Sequence, residues 1–205
     1  MHYFEYGDKA IHYLKKKDKK LGAAIDRIGP IQREIMPDLF KGLISSIIAQ
    51  QISSKAADTV WKRFERLVGD VTPQNVSQVD VVDIQTRGMS MRKASYIKSI
   101  SELIHTGAFD LEELATLPDE EIIKRLKSLP GIGIWTAEML MIFSMQRQNI
   151  VSWDDLAIRR GMMRLYGINE LDRATFESYK KRYTPYGSVA SLYLWALSVE
   201  PIHGC

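Results

Sequence analysis

The chain of 205 residues is 45% hydrophobic and 26% charged, with a net charge of +3 at pH 7, the balance of a globular protein with one sizeable core or two small lobes packed as one body. No apolar run reaches membrane-spanning length and no charged-then-apolar signal opens the chain, so an intracellular address is expected and a membrane partner is not. The lone Cys205 excludes an internal disulfide and any cluster held by four cysteines of this chain, and His2, His12, His105 and His203 fall at no metal-ligand spacing, so no cofactor is expected.

Residues 8 to 29 read as one or two helices stopped by Gly29 and Pro30. Within them the run Lys15 to Lys20 reads as a solvated helical face in preference to a DNA-binding arm. Pro37 and Asp38 open an apolar helix in which Leu39, Leu43, Ile47 and Ile48 recur at helical spacing. Ser53 or Ser54 restarts the chain as an N-cap, and Gly69 ends the helix that follows. Short helices fill residues 73 to 87. Gly88, Met89, Ser90, Lys93 and Ala94 then match Gly131, Ile132, Gly133, Thr136 and Ala137 in spacing. Either a degraded hairpin precedes an intact one, or Ser90 is simply an N-cap after a glycine stop.

The intact turn lies in LPGIGIWTA, Leu129 to Ala137. Ile122, Ile123 and Leu126 give the helix before it a buried stripe, and Ala137, Leu140 and Met141 give one to the helix after it. Gly131 and Gly133 bracket Ile132 in a turn that glycines make most cheaply, and the amides at the start of the second helix are a seat for a phosphate oxygen. Helices over 155 to 166, 172 to 182 and 188 to 198 complete the chain. No segment alternates convincingly as a strand, so the fold class is all-α. Basic residues gather in the last third, from Arg147 to Arg182, and acidic ones between Asp110 and Glu121, as though one face met phosphate and another avoided it.

Five blocks, IIAQQISSKAA, RGMSMRKASYI, LPGIGIWTAEML, SWDDLAIRRG and PYGSVASLYLWAL, spread over residues 47 to 197. In content and order they resemble the helix-hairpin-helix superfamily of DNA base-excision glycosylases, and within it the 3-methyladenine DNA glycosylase II branch. The resemblance implies a two-lobed helical domain with a cleft between the lobes: residues 37 to 143 as the central lobe, residues 1 to 36 with 144 to 205 as the other. It implies duplex DNA containing alkylated bases as the partner, and a monomer is the simpler expectation. Gly131, Gly133 and the Thr136 amide become phosphate contacts, with a monovalent ion, not a catalytic metal, at the hairpin carbonyls. Gln51 takes the place of the wedge that enters the duplex where a flipped nucleotide stood, since flipping costs a few kcal/mol and leaves a gap.

Asp155 takes the catalytic place. Cleaving the bond between a base and C1′ builds positive charge on the sugar, which a carboxylate stabilises while orienting water. From the Asp154–Asp155 pair alone, an N-cap worth about 1 kcal/mol is the better reading; at family spacing after the hairpin Asp155 becomes the candidate, with Asp154 as cap or polar neighbour. Trp135 stands where relatives that also cut the backbone carry a lysine, which points to a monofunctional enzyme using water and to an indole face that attracts a cationic purine by roughly 0.5 to 2 kcal/mol. Trp195 matches the other pocket tryptophan, while Met139 and Leu156 replace aromatics found in some relatives. The readings that compete are a glycosylase for another damaged or deaminated base, and a noncatalytic helix-hairpin-helix DNA-binding protein.

Overall fold

Helices make up nearly all regular structure in the computed structural model, which describes residues 2–199; His203 and Cys205 lie outside the described residues. Among these the β structure is a two-residue ladder, β1 (His2–Tyr3) antiparallel to β2 (Glu34–Ile35), with His2 opposite Ile35. The fold class is all-α, and strands this short carry no periodicity for a sequence pattern to reveal.

Between the two strands lie α1 (Asp8–Lys17) and α2 (Lys19–Ile28). The lysine-rich run is therefore not one helical face. It breaks at Asp18, which is 4% exposed and accepts the Leu21 amide at 2.9 Å as the N-cap of α2. Its other oxygen accepts from the Tyr166 hydroxyl at 2.5 Å and from Arg182 at 3.3 Å, and the Tyr166 and Tyr183 hydroxyls are 2.8 Å apart. A buried carboxylate needs such donors, and burial pushes both phenols above their ordinary range.

Residues 36 to 140 form one compact unit. It holds α3 (Leu39–Ala49), α4 (Ser54–Val68), α5 (Pro73–Gln78), α6 (Val81–Gln85), α7 (Met91–His105), a 3-10 turn (Glu113–Thr116), α8 (Asp119–Lys127) and most of α9 (Ile134–Phe143). Five of these helices start on a side-chain cap: Asp38, Ser53, Thr72, Asp80 and Ser90. Each supplies an acceptor for an amide that the helix itself cannot satisfy, worth about 1 kcal/mol. Leu43, Ile44, Ile47, Phe64, Val76, Ile84, Ile97, Ile100, Ile122 and Leu126 are fully buried and form the core of this unit.

The second unit combines the described parts of Met1–Ile35 and Met141–Cys205, including α10 (Leu156–Tyr166), α11 (Arg173–Tyr183) and α12 (Gly187–Val199). Every residue of α12 from Gly187 to Leu194 is buried, and α10 packs along it. The approach is backbone to helix: a Cβ at Gly161 would lie 1.9 Å from the Leu194 carbonyl oxygen.

Candidate active site

The hairpin turn follows α8. Ile132 is buried and donates its amide to the Leu129 carbonyl at 3.2 Å, anchoring the turn from inside. Gly131 has φ +81°, and a Cβ there would lie 2.4 Å from Cδ2 of Tyr96. Gly133 differs from the sequence expectation: its backbone is not left-handed and nothing lies within 4 Å of where a Cβ would be. Only Gly131 is needed to make the turn. At Gly133 no side chain stands beside the head of α9, so the backbone there is open to close approach.

The first amide to bond within α9 is that of Ala137, onto the Gly133 carbonyl at 3.0 Å. The amides of Ile134, Trp135 and Thr136 precede it and sit at the positive end of the helix. Thr136 turns its side chain inward, whereas Ile134 is exposed and Trp135 is 45% exposed. Met139, one turn on, is 9% exposed. The hairpin carbonyls are neutral oxygen donors of the kind a monovalent cation takes, and a carbonyl that accepts one bond, as Leu129 does from Ile132 and Gly131 from Gln50, has a second lone pair. An ion there would brace the turn.

Gln51 lies in the same unit, on the loop after α3, exposed and in the left-handed region with φ +60°. Its neighbour Gln50, which sequence reasoning passed over, donates its side-chain amide to the Gly131 carbonyl at 2.9 Å. Nothing in the run IIAQQIS distinguishes the two glutamines until that contact is seen.

In the other unit Asp155 is 7% exposed and takes extended backbone angles, and its Oδ1 accepts the Ile158 amide at 2.8 Å. Asp155 is itself the N-cap of α10, and Asp154, expected as the cap or a polar neighbour, is exposed one residue earlier. The segment leading to Asp155 is laced to α12: Ser188 Oγ accepts the Ile150 amide at 3.0 Å and Ser191 Oγ donates to the Ile150 carbonyl at 2.9 Å.

Leu156 is 65% exposed. Trp195, on α12, is half-buried and stacks on Phe143 with ring centroids 5.5 Å apart; Phe143 was not foreseen. Several basic residues of the last third serve the fold. Arg164 donates to the Leu197 and Ser198 carbonyls at 2.9 and 2.7 Å, Arg182 meets Asp18, and Arg173 pairs with Glu177 at 3.0 Å. A groove of about 850 Å³ in this unit, lined by residues such as Phe4, Tyr6, Ile31 and Tyr193, includes none of the expected site residues. Among the described residues no three His, Cys, Asp or Glu side chains gather to hold a metal ion, and no helix is long and apolar enough to cross a membrane.

A helix opening on a glycine hairpin and a buried aspartate at the head of another helix narrow the class of protein. The profile of the HhH-GPD superfamily of base excision DNA repair proteins matches residues 44–185, and the chain belongs to that superfamily. Its similarity runs in particular to the 3-methyladenine glycosylases. The crystal structure of a DNA-3-methyladenine glycosidase from Bacillus halodurans superposes with a TM-score of 0.87 at 35% identity, covering 97% of this chain and 93% of that one. DNA-3-methyladenine glycosylase 1 of Schizosaccharomyces pombe is 31% identical over 190 residues, 90% of this chain and 83% of its own length. Its structure in complex with abasic DNA superposes with a TM-score of 0.77, covering 91% of this chain and 95% of that one. DNA-3-methyladenine glycosylase 2 of Escherichia coli is 25% identical over 171 residues, 77% of this chain and 57% of that protein.

Proposed function

We propose that the chain is a monofunctional DNA glycosylase that flips an alkylated purine such as 3-methyladenine out of duplex DNA and releases it by hydrolysis. The observation that carries this reading is Asp155: a carboxylate 7% exposed, fixed in direction by its bond to the Ile158 amide. Support for the substrate class comes from relatives of that specificity matching nine-tenths or more of the chain at 31% and 35% identity.

In this mechanism the bond from C1′ to the base breaks with its electron pair going to the base, whose positive charge is thereby neutralised. The sugar cation left behind is stabilised by Asp155, water adds to C1′, and the water proton passes to Asp155 or to solvent. A cationic base needs no acid to leave, so one carboxylate suffices. The half-exposed indole of Trp135 offers a face to that cation, and a tryptophan supplies no amine for the Schiff base on which backbone cutting depends. Trp195 offers a second indole, with Met139 and Leu156 as apolar neighbours of the base. Gly131, Gly133 and the Thr136 amide take a phosphate, and Gln51 fills the gap. The protein acts on DNA as a monomer in this reading.

Single-turnover excision from duplexes carrying one 3-methyladenine tests it, with wild type beside Asp155→Asn. Asparagine retains the cap, so the variant is expected to fold and to bind duplex while losing at least about a hundredfold in rate. Binding without base release by wild type would favour a noncatalytic binding protein.

A further inference from the structure

The loop carrying Gln51 is braced from two directions. Lys93, in the first turn of α7, donates to the carbonyls of Ile48 at 2.8 Å and Gln50 at 2.5 Å, the last acceptors of α3. Partial burial lowers the Lys93 pKa, and the negative end of α3 offsets that penalty by favouring a cation there. Three residues along the same helix, Tyr96 lies under Gly131 at the distance that forbids a Cβ. Gln50 closes the triangle by donating from the loop to the Gly131 carbonyl at 2.9 Å. One helix thus holds both the loop and the hairpin, and one side chain ties the two together. Between these supports Gln51 sits at φ +60°, a conformation that a residue with a side chain adopts only when its surroundings impose it.

We propose that Gln50 and Lys93 are positioning residues for the wedge: by tying the Gln51 loop to the hairpin they make gap filling and phosphate gripping a single rigid event. This rests on the reading of Gln51 as the side chain that enters the duplex. A hairpin already seated on phosphate then delivers Gln51 at a fixed place in the stack. A loop free of the hairpin would have to find that place by its own motion.

The test uses the full chain and a duplex with a tetrahydrofuran abasic analogue beside 2-aminopurine, whose fluorescence reports insertion into the gap without any base release. Gln50→Ala and Lys93→Met are expected to slow insertion about fivefold, the worth of one hydrogen bond, with little change in overall duplex affinity. Gln50→Ala combined with Gln51→Ala should match Gln51→Ala alone, because Gln50 acts through Gln51. On 3-methyladenine, Gln50→Ala should slow release from a paired site about fivefold and from a bulged, already unpaired site less than about twofold. A general structural defect would slow both equally, and that result, or wild-type insertion by Gln50→Ala, would overturn the proposal; Gln50→Ala decides alone if Lys93→Met does not fold. If Gln51→Ala inserts normally, the wedge reading falls and the proposal with it, while wild-type base release would leave the glycosylase reading standing.

Discussion

Two glycine turns in the same unit, residues 86–90 before α7 and 128–133 before α9, share their spacing and a left-handed glycine, Gly88 at φ +112° and Gly131 at +81°. They differ at the residue before the helix. In the first turn Ser90 Oγ accepts the Lys93 amide at 3.3 Å, so the helix head is satisfied from within. In the second, Gly133 has no side chain, and the corresponding amide belongs to Thr136. The serine oxygen marks where an acceptor sits in such a turn; removing it leaves that position to an oxygen from outside. On the proposed reading, the same backbone is a structural corner when a serine caps it and an anion seat when a glycine stands there.

The largest effect is expected at the left-handed glycines. Gly131→Ala forces a Cβ to 2.4 Å from the Tyr96 ring at φ +81° and should destabilise the protein by about 3 kcal/mol or more. Gly88→Ala, whose Cβ would meet its neighbours at 3.4 Å, should cost about 1 kcal/mol, both read from urea midpoints. Equal losses would erase the distinction between the turns. Next, Gly133→Ser copies the first turn onto the second. It should lower duplex affinity about tenfold by occupying the Thr136 amide, yet raise stability by a few tenths of a kcal/mol. Its salt dependence of binding should match wild type, since no cationic side chain is lost. The smallest effect is Ser90→Ala, about 1 kcal/mol of stability with unchanged duplex affinity. A fall in affinity there would mean that the first turn also grips phosphate.

The helices were legible because capping residues and apolar spacing act within a few residues: Asp38, Ser90 and Gly69 mark boundaries that hold in the structure. Ser90 is the N-cap that the plainer of its two readings described. Features set by distant partners were not legible. Gly131 and Gly133 look alike until Tyr96 lies under one of them. Asp18 looks like a break in a lysine face until Tyr166 and Arg182 arrive from more than a hundred residues away. Lys93 resembles any surface lysine, and its work is done on carbonyls, which leave no trace in a side-chain pattern. Asp155 shows a third outcome: the residue that the family spacing singles out is also the one that local chemistry makes the cap of α10, accepting the Ile158 amide.

The crossing of α10 and α12 carries a consequence for how such a protein can diversify. A single hydrogen atom on Gly161 separates the helix headed by Asp155 from the Leu194 carbonyl, the residue next to Trp195. No larger residue fits without driving the helices apart, so the crossing itself is closed to gradual adjustment. Change in this lineage would have to come by exchanging side chains around a fixed frame, at exposed positions such as Leu156.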